Sequence, residues 1–134
     1  HWPIANGTTT IPAAAAQIHG NGAQMEAANV GYYSDLKTTL RWSLEVSEVG
    51  IYEVRLGIAC PADQAGSTFT VSLAGAEFSG TVPATAGWQT YNELSLGEVE
   101  LAAVGTYELQ FTPGQLANST LGNIGDLTLI QVGD

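Results

Sequence analysis

Two neighbouring segments alternate apolar and polar residues with a period of two. In Lys37 to Val46, Leu40, Trp42, Leu44 and Val46 alternate with Arg41, Ser43 and Glu45. In Ile51 to Cys60, Tyr52, Val54, Leu56 and Ile58 alternate with Glu53, Arg55 and Gly57. Side chains alternate across a strand, so each segment presents one apolar face to a core and one polar face to water. The short Ser47-Glu48-Val49-Gly50 link predicts that the two strands form a hairpin.

The same signal recurs downstream. Phe69, Val71 and Leu73 alternate, Gly75-Ala76-Glu77 reads as a turn, and Phe78 to Val82 returns. Leu94 to Leu101 and Tyr107 to Phe111 alternate on either side of Gly105, and Ile124 to Val132 forms the last strand. Cys60 to Gly66, Pro83 to Gly87 and Thr112 to Asn123 have loop composition. No window of helical length holds a 3.6-residue period. Ala13 to Gln17 reads as an early strand, where Ala fits a crowded interior. About nine to eleven strands at hairpin spacing predict an all-β, antiparallel β-sandwich, a jelly roll. Its core should include Trp42, Tyr52, Val54, Leu56, Val71, Leu109 and Leu129, with Cys60 as a buried, unreactive thiol.

Composition narrows the function. Of 134 residues, 45% are hydrophobic and only 12% charged, which excludes intrinsic disorder. The longest apolar runs, such as Ala13 to Ala16, are far too short to span a membrane. The formal charge of −10 argues against nucleic acid and anionic membranes as partners. Two His and one Cys are too few for a conventional zinc site. Residues 1–10 read as an N-terminal tail without a basic or an apolar signal region, and Trp2 within it is given no role. Residues 11–134 read as a single domain. High Thr, Ser and Gly with little Lys suggest a secreted bacterial domain taken from a larger chain.

Catalytic signals are weak. His19 has no acidic neighbour in sequence, and no nucleophile elbow or zinc-protease motif is present. Acids such as Glu45, Glu53 and Glu108 fall on outward strand positions, as a solvated face requires. The features that stand out are in loops. Tyr32-Tyr33 follow Gly31, Trp88 follows Ala86-Gly87, and Asn118 and Asn123 lie in the last long loop. Aromatic faces stack on the C–H faces of sugars, and amides bond their hydroxyls. Neighbours in a strand point opposite ways, so one of the two tyrosines can be core and the other exposed.

The ordered set of segments resembles a known group. It runs Ala16-Gln17-Ile18-His19-Gly20, Asn29-Val30-Gly31-Tyr32-Tyr33, Leu40-Arg41-Trp42-Ser43-Leu44 and Gly50-Ile51-Tyr52-Glu53-Val54. It continues through Thr85-Ala86-Gly87-Trp88-Gln89 and Gly105-Thr106-Tyr107 to Asn123-Ile124. From Ile11 onward this is similar to the galactose-binding-like β-sandwich modules of carbohydrate-binding families 6 and 35. Such modules are appended to bacterial glycoside hydrolases, including fucosidases, and to sulfatases. The resemblance implies one sugar site in the loops at an end of the sandwich. The flanking aromatics would be Tyr33 or Tyr32 and Trp88, with Asn123 bonding hydroxyls. Ala86 stands where the family usually has the first Gly of its Trp turn. The resemblance also implies a structural calcium. Its side-chain ligands would be Gln17, in place of an acidic residue, and Asp126, because Gly125 occupies the usual acidic position.

The implied function is a non-catalytic module that targets an appended, secreted polysaccharide-active enzyme to a polysaccharide or oligosaccharide, most readily a neutral one. The alternative is a structural or interaction β-sandwich that packs against a catalytic domain and binds no glycan. A small hydrolase or lyase is a third, weaker alternative, because no convergent pair of titratable groups is visible.

Overall fold

The computed structural model describes residues 1–134. Two six-stranded sheets face each other across one apolar core. The strands in chain order are Trp2–Ile4 (β1), Thr8–Ile11 (β2), Gln17–His19 (β3), Gln24–Met25 (β4), Val30–Gly31 (β5) and Thr39–Val46 (β6). They continue with Gly50–Ala59 (β7), Thr68–Leu73 (β8), Ala76–Thr81 (β9), Asn92–Leu101 (β10), Gly105–Pro113 (β11) and Asn123–Gly133 (β12). The first sheet runs β1-β6-β11-β8-β9, with β3 also on β6; the second runs β10-β7-β12-β5-β4, with β2 also on β12. All pairings are antiparallel except that of β1 with β6. No helix is long and apolar enough to cross a membrane.

The alternation rule located the core. Trp42, Tyr52, Val54, Leu56, Val71, Leu109 and Leu129 are all fully buried, and so is Cys60. The Phe69 and Phe111 rings stack with centroids 5.1 Å apart, and Tyr33 lies 5.8 Å from Phe111. Each such side chain contributes about 1.5–3 kcal/mol by leaving water.

Three local expectations are corrected. β6 and β7 do not pair; each belongs to a different sheet. Both apolar faces point into the same interlayer space, so alternation cannot distinguish hairpin partners from strands that face each other across a sandwich. By contrast β8 and β9 do form a hairpin, closed by Ala74 and Gly75 at φ +53° and +84°. Two left-handed residues match the twist of the flanking strands.

The second correction concerns Ala13 to Gln17. Ala13–Ala15 form a 3-10 turn after Pro12, and the strand begins at Gln17. Short side chains let the chain turn tightly there as it passes from β2 in one sheet to β3 in the other. The third concerns residues 1–10, which are not a tail. β1 adds to the edge of β6 and β2 pairs with β12. Ile4 is buried in the core, which gives the segment a hydrophobic anchor.

Candidate functional site: a cleft at the loop end

Three elements meet where β7 ends and β12 begins. Asn123 pairs with Ala59 there. The segment after β9 is tied in by the Thr85 N–H, which donates to the Cys60 carbonyl at 2.7 Å. This brings the turn carrying Trp88 over the start of β12. The Asn123 side-chain amide donates to the Trp88 carbonyl at 2.8 Å. Asn123 is 5% exposed, so the bond is shielded and fixes the Trp88 turn. The β4–β5 turn supplies the opposite wall.

Glu26, Tyr32, Trp88, Gln89, Thr120 and Asn123 line a cleft of about 400 Å³ here. Of the residues expected from the sequence, Tyr32, Trp88 and Asn123 therefore come together. Tyr32 is 67% exposed and Trp88 40%. Tyr33 does not join them. It is fully buried, its hydroxyl donates to the Thr38 carbonyl, and burial with the nearby Asp35 charge pushes its phenol up. Tyr32 takes φ +53°, a left-handed conformation uncommon outside glycine. That backbone turn separates the two neighbours, sending one ring into the core and the other into the cleft. Asn118 also stays outside the cleft, donating instead to the Ala65 carbonyl at 3.2 Å.

Glu26, Gln89 and Thr120 were not singled out from the sequence. Gln89 adjoins Trp88, and that adjacency is its signal in the sequence. Glu26 and Thr120 enter only because the β4–β5 turn and the last loop converge in space.

A second cleft of about 430 Å³ lies on the second sheet, lined by Gly57, Tyr91, Glu93, Gly125, Asp126 and Thr128 among others. Its floor owes its shape to a β-bulge between Ile124 and Leu127 in β12. A Cβ at Gly125 would lie 2.9 Å from the Tyr91 ring, so glycine is needed for Tyr91 to lie there. This cleft has a single aromatic, half-buried, whereas the loop-end cleft has two exposed rings.

The calcium implied by the family resemblance would be built on Gln17 and Asp126. Calcium takes about six to eight oxygen ligands. Gln17 stands on β3 opposite Arg41 in the first sheet, and Asp126 stands on β12 in the second. Asp126 Oδ1 already accepts the Ala13 N–H at 3.1 Å, and no three His, Cys, Asp or Glu side chains converge anywhere in the chain. The structure thus gathers no cluster of acidic side chains around Asp126. Asp126 is instead a wall of the second cleft.

No sequence-family profile matches the chain, and no curated protein matches it by sequence. Solved structures do. A family 35 carbohydrate-binding module from Clostridium thermocellum superposes with a TM-score of 0.74 at 18% identity, covering 93% of this chain and 98% of that one. A carbohydrate-binding module from Cellvibrio mixtus lichenase 5A, solved in complex with cellotriose, gives 0.69 at 22% identity, covering 92% and 97%. The fold is that of the family 6 and 35 carbohydrate-binding modules. It is shared more widely: the Cry4Aa toxin of Bacillus thuringiensis gives 0.76 at 19% identity, with 93% of this chain matching 23% of that one. Fold alone does not assign function; the residues of the cleft must.

Proposed function

We propose that the chain is a non-catalytic module that binds a glycan in the loop-end cleft. It would thereby hold an appended, secreted polysaccharide-active enzyme of bacterial origin on its substrate. Tethering of this kind raises effective concentration even at modest affinity. The observation that carries the reading is that Tyr32 and Trp88, both exposed, line one cleft with Asn123. Exposed rings without a packing partner cost apolar hydration, and a stacked sugar face removes that cost. The cellotriose bound by the similar lichenase module supports an oligosaccharide as the ligand class. Hydrolysis by paired carboxylates needs two of them across the scissile bond. Glu26 is the only acid in this cleft, which supports binding without catalysis.

Affinity electrophoresis through gels containing neutral β-glucans, xylans, mannans or galactans tests this. At least one polysaccharide should retard the protein. Trp88→Ala should weaken that retardation about 30-fold, as expected for loss of an aromatic anchor worth ~2 kcal/mol. Full retardation of the Trp88→Ala protein would overturn the assignment of the cleft.

A further inference from the structure

We propose that the loop-end cleft sorts sugars by charge: a sugar bearing a protonated amine binds more tightly than its neutral parent, and one bearing a carboxylate is rejected. This rests on the glycan-binding reading above and adds the ligand class.

The reason is Glu26, the one charged side chain lining the cleft. Its position is fixed from two sides. The Glu26 N–H donates to the Asn29 carbonyl at 2.8 Å, closing the turn between β4 and β5. Glu26 Oε1 accepts from Asn29 Nδ2, also at 2.8 Å, and Asn29 is only 3% exposed. The carboxylate then lies against Gly31. A Cβ there would come within 2.2 Å of Oε1 and 2.9 Å of the carboxyl carbon. Glycine at position 31 therefore opens the slot that the carboxylate fills, immediately before Tyr32.

The charge itself is left uncompensated. Asn29 is the only side chain that hydrogen-bonds the Glu26 carboxylate. The ion pairs of the protein are those of Arg55 with Glu53 and Glu93, and Glu26 takes part in neither. None of the three Lys and Arg side chains lines the cleft, and the chain carries a formal charge of −10. The Glu26 charge is also felt nearby. Burial is the main cause of the raised Tyr91 phenol pKa, and the Glu26 and Asp126 charges add to it.

A half-buried, fixed anion beside two aromatic faces is a cation-accepting arrangement. An ammonium group would donate a charge-assisted hydrogen bond to the carboxylate and be attracted by the ring faces. A neutral hydroxyl gains less. A uronic carboxylate meets like charge with no cation to bridge it.

Titration of the labelled protein, read at the Trp88 indole NH by NMR, tests this with methyl glycosides. Two series are needed, gluco and galacto, each as the amine, the neutral sugar and the uronate. Mildly acidic buffer keeps the amines protonated. In at least one series the amine should bind about tenfold more tightly than the neutral glycoside, and the uronate should not bind. Added salt should shrink the difference. Glu26→Gln should bring the amine and the neutral glycoside to the same affinity. Glu108→Gln, which removes the same charge from an exposed position on β11, should leave the advantage intact. Neutral binding with no amine advantage, or an advantage that survives in Glu26→Gln, overturns charge selection and leaves glycan binding standing. Absence of any indole shift with all six glycosides overturns both.

Discussion

Adjacent residues Tyr32 and Tyr33 should respond in opposite ways to truncation. The Tyr33 ring is fully buried against Phe111, and its hydroxyl is bonded to the Thr38 carbonyl. Tyr33→Ala leaves a cavity in the core and removes an aromatic pair, a loss of about 4 kcal/mol. For a domain of this size that lowers Tm by about 15 °C. Tyr33→Phe keeps the ring and loses only the hydrogen bond, at about 1 kcal/mol. Tyr32 buries little and sits in a left-handed conformation. Tyr32→Ala should therefore change stability by no more than about 0.5 kcal/mol. Tyr32→Gly should do no worse, because relief of the ~1 kcal/mol left-handed cost offsets glycine's extra backbone entropy. Thermal melts followed by circular dichroism measure these effects, and affinity electrophoresis measures binding. Tyr32→Ala and Tyr32→Gly should melt like the parent and lose binding. Tyr33→Phe should melt slightly lower and still bind. A Tyr32→Ala protein that melts ten degrees low, or a Tyr33→Phe protein that folds but no longer binds, would refute this division of roles.

Two further expectations concern acid and calcium. Hydrogen bonds from the Thr38 hydroxyl and backbone N–H, and from the Lys37 N–H, hold the Asp35 carboxyl below its ordinary value. A lowered folded-state pKa stabilises above the unfolded value of ~3.9, and that contribution is lost as pH falls through the folded pKa. Asp35→Asn should therefore flatten the loss of Tm below about pH 4; an acid limb identical to the parent's would count against this role. Calcium in millimolar excess and EDTA should give the same Tm, since no three acidic side chains converge and Asp126 is already bonded to the Ala13 N–H. A Tm raised by calcium and restored by EDTA would show a site built from other oxygens, because a ligand that binds only the folded state stabilises it.

The sequence by itself determined that the chain is a β-sandwich and which side chains fill it. Trp42, Tyr52, Leu56 and Leu109 could be placed because a period of two is a local property, set by backbone geometry within one strand. It also limited the candidate binding aromatics to Tyr32, Tyr33 and Trp88, since large rings beside loop glycines have few packing partners nearby in the chain. Pairing was not legible. β6 and β7 look like a hairpin in sequence and lie in opposite sheets, because both arrangements bury the same faces. Residues 1–10 look like a tail because β1 and β2 are only three and four residues long, and their partners, β6 and β12, are far along the chain. Only the tertiary structure decided between Tyr32 and Tyr33, through one positive φ. It alone brought Glu26 to Trp88, which is 62 residues away in sequence (88 − 26). A cleft is made by elements that meet in space, and no local pattern encodes which turns will share it.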